Sequence, residues 1–237
     1  MSDRFHQMTA FKGFPRESVA FLAALAKNND KYWFAEHKGE YEEHVLQPAQ
    51  ALVAAMGERL KTLRPRVIAD PRVNKSIFRV HRDTRFSGDK RPYKTHLGVF
   101  FWEGAGKKME SSGFYFHVEP GYFMVAAGIY FFPPRLLSLY RENVAHERHG
   151  AALARIVKQV QKDGKVLVGG EHYRRVPRGY DPEHPRGELL RYHALYAFVE
   201  SKVPKELFSG ALIAHCLQLW TPMVPLHDWL VEMTARE

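Results

Sequence analysis

The chain of 237 residues carries 35 Lys and Arg against 26 Asp and Glu, a formal net charge of +9, and is 45% hydrophobic. That is enough apolar material for a sizeable core, while the longest uncharged apolar run, Gly121 to Pro134, is too short to span a bilayer. The single cysteine, Cys216, excludes a disulfide framework or a thiolate metal cluster within one chain, and its neighbours Ile213, Ala214 and Leu217 predict a buried, inert thiol.

The N-terminus, "MSDRFHQMTAFKGF", lacks the apolar core of a secretory signal, so a soluble, cytoplasmic protein is expected, folded as one globular α+β domain over residues 1–237. Up to about Leu63 the pattern is helical. Val19, Leu22 and Leu25 follow Pro15 at helical spacing, and Asn28, Asn29 and Asp30 supply a stop and a new N-cap. Phe34, His37, Tyr41 and Val45 continue one stripe, which resumes after Pro48 with Leu52, Met56, Leu60 and Leu63. This predicts three helices, or two with the second kinked.

Between Asn74 and Phe132 the period changes to two. Phe114, Phe116 and Val118 alternate with Tyr115, His117 and Glu119; after the turn "EPGY", Phe123, Val125, Ala127 and Ile129 alternate with Met124, Ala126, Gly128 and Tyr130. Leu97, Val99 and Phe101 predict a preceding strand, and Ile77 to Phe86 one before that. The fold class is therefore α+β, with a central antiparallel sheet from about residues 74–132 flanked by N-terminal and C-terminal helices. Helical spacing returns after Pro133 and Pro134. It recurs around Leu189 to Tyr196, Pro204 to Trp220 and Leu226 to Met233, although "ALYAFVE" also reads as a short strand.

The densest chemistry lies in "SIFRVHRDTRFSGDKRPYKTHLG", residues 76–98. From Arg79 to Lys94 it gathers six basic side chains against Asp83 and Asp89. On a strand from Ile77, Phe78 and Val80 point to one face and Arg79, His81, Asp83 and Arg85 to the other. Asp83 can balance only part of this charge, so the surplus predicts an anion site. Arg79 and Arg85 offer forked donors, Lys94 a point charge, Tyr93 an orienting group, and His117 a neighbour on the polar sheet face. His81 and Asp83, two apart on one face, form the candidate proton-transfer pair. No metal is expected at His81, Asp83 and a nearby His117, because Arg79 and Arg85 raise the cost of a cation. The helical pair His146 and His149 reads as a surface pair, having no third ligand in view. A second basic segment, with Arg174, Arg175, Arg178 and Arg186, surrounds the turn "PRGYDPEHP". Walker, dinucleotide-glycine, "HExxH" and nucleophile-elbow motifs are absent, and no cofactor is indicated.

In order along the chain, "FKGFP", "FLAALAKNNDKYWF", "FRVHRDTRFSGDKRPYKTH", "GFYFHVEPG" and "RVPRGYDPEHPRGELL" resemble the uncharacterised domain-of-unknown-function 2461 family. The resemblance covers nearly the whole chain and implies a fold, without an activity or a cofactor. The motif "YFFPP" departs from the glycine-rich hairpin end expected there.

The leading functional expectation is a small anionic ligand, phosphorylated or carboxylated, bound by a basic polar sheet face, with or without catalysis. The alternative is a nucleic-acid-binding module, motivated by the charge and by Tyr93 and Trp102 as exposed aromatics. A scaffold or partner-binding protein without a ligand is the third reading. No membrane partner is expected, and the oligomeric state stays open.

Overall fold

The structure, a computed structural model, describes residues 11–85, 87–104 and 106–236. Most of the N-terminal segment judged for a signal lies outside the described residues, as does Phe86 at the end of the expected first strand.

The N-terminal helices form as the stops and caps dictate. α1 (Arg16–Lys27) ends at Asn28, and Asp30 accepts from the amides of Tyr32 and Trp33 to start α2 (Lys31–Glu36). α3 (Lys38–Tyr41) passes through a π-helical turn, Glu42–Leu46, into α4 (Gln47–Leu63). Pro48 has no amide hydrogen to return to the turn before it, and the carbonyl of His44 instead accepts from the hydroxyl of Ser18 on α1.

Among the described residues six strands form one antiparallel sheet in the order β1-β2-β3-β4-β6-β5, so the architecture is α+β with helices before and after the strands. β2 (Leu97–Glu103), β3 (Ser112–Glu119) and β4 (Tyr122–Ile129) are the strands anticipated from the alternation. In β3, Phe114, Phe116 and Val118 are buried while Tyr115, His117 and Glu119 are half-exposed. β2 is buried along its whole length, as is β4 from Val125 onward, so apolar cover reaches both faces there. β1 (Val67–Ile68) precedes them. β5 (Leu167–Glu171) and β6 (Tyr192–Ser201) add two strands from beyond the anticipated range, and "ALYAFVE" is the strand, with only a short helix, α7 (Gly187–Leu190), before it.

In place of the strand expected over Ile77 to Phe86, the described residues 77–85 form a segment with isolated bridges at Ile77 and His81. Its hydrogen bonds give the reason. The Ser76 carbonyl and Phe78 amide pair with the Phe100 amide and Gly98 carbonyl, whereas the Val80 carbonyl and Arg82 amide pair with the Lys94 amide and Pro92 carbonyl. Two residues too many therefore lie between Lys94 and Gly98, and the ladder breaks around Thr95 and His96. The alternation survives in exposure: Arg79, His81, Asp83 and Arg85 are exposed. Phe78 and Val80 are half-buried, however, not fully buried as the strand pattern predicted.

The chain divides into two compact units. One comprises residues 1–101, 115–124 and 200–217, the other 102–114, 125–199 and 218–237. In the first, Leu22, Leu25, Ala49, Leu52, Met56, Val99 and Phe116 are buried, and Phe14 stacks on Phe116 with ring centroids 6.0 Å apart. Gly13, at φ +108°, lets Phe14 donate its amide to Leu207 at 2.9 Å, because a side chain at position 13 would strike the backbone of Ser209. Cys216 is a free, buried thiol whose pKa burial pushes well up. In the second unit, α5 (Pro134–Ala145), α6 (Glu147–Val160) and α9 (Val224–Thr234) pack together. Tyr140 stacks on Phe132 at 4.7 Å and donates its hydroxyl to Leu189 at 2.8 Å. α8 (Leu212–Trp220) brings the chain to α9. No helix among the described residues is long and apolar enough to cross a membrane.

Candidate functional site

The basic segment folds around a recurring device. In Asp70-Pro-Arg72, Asp83-Thr-Arg85 and Asp89-Lys-Arg91 the carboxylate accepts from the amide two residues on, at 3.1, 3.2 and 3.1 Å, and also receives the same arginine's guanidinium. Arg85 reaches Asp83 through Nε at 3.0 Å and Nη2 at 2.7 Å. Its guanidinium holds the Asp83 carboxyl down at about 2. Asp89 has a second cation as well, Arg82, and Arg91 followed by Arg82 hold its pKa far below the carboxylate range.

Arg82, Asp89, Arg91, Tyr93, Lys94, Thr95 and His96 line a cleft of about 250 Å³. Two guanidiniums on one carboxylate leave a net positive charge there, and Lys94 adds a second. The Lys94 ammonium lies 5.4 Å from the centre of the Phe78 ring, and its pKa is lowered by burial first and then by Arg79. Tyr93 is buried, stacked on Phe34 at 4.1 Å, with its amide and carbonyl both held by the Asn29 side chain at 3.0 Å. Asn29, in the link between α1 and α2, and Phe34 on α2 thus hold Tyr93 in place.

Of the residues singled out in the sequence, Tyr93 and Lys94 line this cleft, while Arg79, His81, Asp83 and Arg85 do not. The His81 ring packs 5.1 Å from that of Tyr93, and Asp83 is occupied by Arg85; among the described residues no hydrogen bond joins His81 to Asp83. His117 stacks on His96 at 4.5 Å and receives or gives a hydrogen bond at Nδ1 with the Tyr115 hydroxyl, 3.0 Å away. Burial pushes both imidazoles down to about 4, His96 also feeling His117, Lys94 and Arg82. Arg82, Arg91, Thr95 and His96 line the cleft without having been singled out as candidates in the sequence. The thrice-repeated Asp-x-Arg was a legible signal for Arg91 but not for Arg82, and His96 depended on a bulge that alternation does not announce.

The second basic segment borders a larger concavity of about 900 Å³, whose lining includes Lys158, Arg174, Arg175 and Arg186. Its charge is more committed. Arg186 donates to the carbonyls of Val144 and Ala145 at the end of α5, and Arg191 pairs with Glu171 at 2.7 Å. His146 caps α6 and stacks on His149, itself 3.1 Å from Asn143. A Ser–His–acid row also occurs: Ser112 Oγ lies 2.8 Å from His227 Nδ1, and His227 Nε2 lies 3.1 Å from Glu103. All three side chains are buried, which closes them to substrate and gives the row a structural role. Trp102 and Tyr93, taken as exposed aromatics in the nucleic-acid reading, are both buried.

Residues 17–229 match the family described as "Conserved hypothetical protein (DUF2461)". The chain belongs to this family. No curated protein matches it. The family description names no activity, so the DUF2461 assignment leaves the chemistry to the residues themselves.

Proposed function

We propose that this DUF2461 protein binds a small phosphorylated or carboxylated ligand in the cleft built by Arg82, Arg91 and Lys94. The observation that carries this reading is the convergence of two arginines on the single carboxylate of Asp89 beside a half-buried lysine. Asp89 orders both guanidiniums and neutralises only one, so the remaining donors are preorganised for an incoming anion. The volume suits a ligand the size of a phosphate or a small phosphate ester. The buried Tyr93 holds the floor by packing instead of orienting the ligand, and His81 with Asp83 is not assigned a proton-transfer role.

The test is stabilisation by inorganic phosphate, compared with chloride at equal ionic strength so that general screening cancels. Phosphate at one hundred times its dissociation constant should stabilise the parent protein by about 2.7 kcal/mol, and an Arg91→Ala, Lys94→Ala variant far less. Arg85→Ala, outside the cleft, should behave as the parent. Equal stabilisation of parent and double variant would defeat the proposal. Steeply salt-dependent binding of oligonucleotides spread over many basic residues would favour the nucleic-acid reading.

A further inference from the structure

We propose that His96, His117 and Glu119 form a binding site for a divalent transition-metal ion of the zinc type. One potential ligand atom from each of these residues lies within 4.8 Å of the other two. His117 Nε2 is 4.0 Å from a Glu119 carboxylate oxygen, too long for a hydrogen bond. It is nevertheless close enough for both atoms to touch one ion at the usual bond lengths of about 2.0–2.2 Å. A modest side-chain rotation at His96, which sits in the bulge between β2 and the preceding segment, brings in the third ligand.

The surroundings are those a metal-binding histidine requires. Hydrogen bonding between His117 Nδ1 and the Tyr115 hydroxyl fixes the ring and, with the proton on Nδ1, leaves the Nε2 lone pair directed to the carboxylate. Gly98 makes that contact feasible: a Cβ there would come within 2.8 Å of the Tyr115 hydroxyl. Two imidazole nitrogens and one carboxylate favour a first-row transition ion over magnesium or calcium, which prefer oxygen. Arg82 and Lys94 act on His96 from the cleft side and raise the cost of a cation, which Glu119 offsets in part by bringing a negative charge to the ion. The sequence argument against a metal concerned His81 and Asp83 with His117 nearby; of these only His117 is a ligand here, joined by His96 and Glu119.

The test uses the full chain, freed of metal by chelator, in phosphate-free buffer, so that its outcome is independent of the anion proposal. Cobalt(II) should give a visible absorption band saturating at one equivalent, and equilibrium dialysis should give one zinc per chain. His117→Ala and Glu119→Gln should each weaken binding at least tenfold, and Tyr115→Phe about tenfold through loss of ring orientation. Their melting curves in chelator should match the parent's, and the isosteric Glu119→Gln and Tyr115→Phe remain informative if His117→Ala fails to fold. A His146→Ala, His149→Ala variant should bind as the parent does. The proposal is overturned by the absence of one-to-one binding, by binding that survives both His117→Ala and Glu119→Gln, by its loss in the His146→Ala, His149→Ala variant, or by equal affinity for magnesium.

Discussion

Asp89 orders more of the basic segment than any residue the alternation pointed to. It serves Arg91 by backbone and side chain and Arg82 by side chain, whereas Asp83 takes its ion pair from Arg85, with Arg79 acting only at longer range. Asp89→Asn is accordingly expected to lower the melting temperature more than Asp83→Asn, both effects being modest because these pairs are partly open to water. The pH dependence has a definite sign. A carboxyl whose folded pKa is depressed contributes stability above its unfolded value, here near 3.8, and loses that contribution as pH falls through the folded value. The difference between parent and Asp89→Asn should hold constant from pH 7 to about 5 and shrink below about 4; melting curves across that range check it. A difference that grows on acidification would contradict the assignment. Residues of this kind are hard to pick out of a sequence, because charge alone does not say which carboxylate collects two partners.

The elements were legible where one physical rule acted alone. The alternation of β3 survives intact, since its polar face stays half-open, and β2 was read from Leu97, Val99 and Phe101 although both its faces are covered; β6 was blurred because a flanking helical turn weakens the period-two signal. The 77–86 segment shows the reverse failure. Its side chains alternate, but two extra residues on the partner segment cut the ladder, and that excess is a property of pairing, not of either segment's own sequence. The bulge that defeated the strand assignment also brings His96 to the cleft, so the least predictable part of the sheet is where the candidate chemistry gathers. In the N-terminal helices, the Pro48 interruption was foreseen as a kink, while its partner Ser18 was not. Ser18→Ala should strand the His44 carbonyl and cost about 1–3 kcal/mol, measured by denaturant titration with the slope unchanged. A cost within error of zero would mean that water replaces the hydroxyl.

At the scale of the whole molecule, β2, β3, β4 and β6 each contribute residues to both compact units. We therefore propose that the chain unfolds as a single cooperative domain. Trp33 belongs to the first unit and Trp102, Trp220 and Trp229 to the second, so fluorescence from a Trp33→Phe variant and far-ultraviolet circular dichroism should report coincident transitions. Two separated midpoints would show independent units. The Asp-x-Arg repeats bear on this unfolding in another way. Each carboxylate is only two residues from its arginine, a spacing the disordered chain visits readily, so part of each pairing outlasts the loss of tertiary structure. The depressed acidities are then shared between folded and unfolded ensembles, and acid finds less difference to exploit than the folded-state values alone imply.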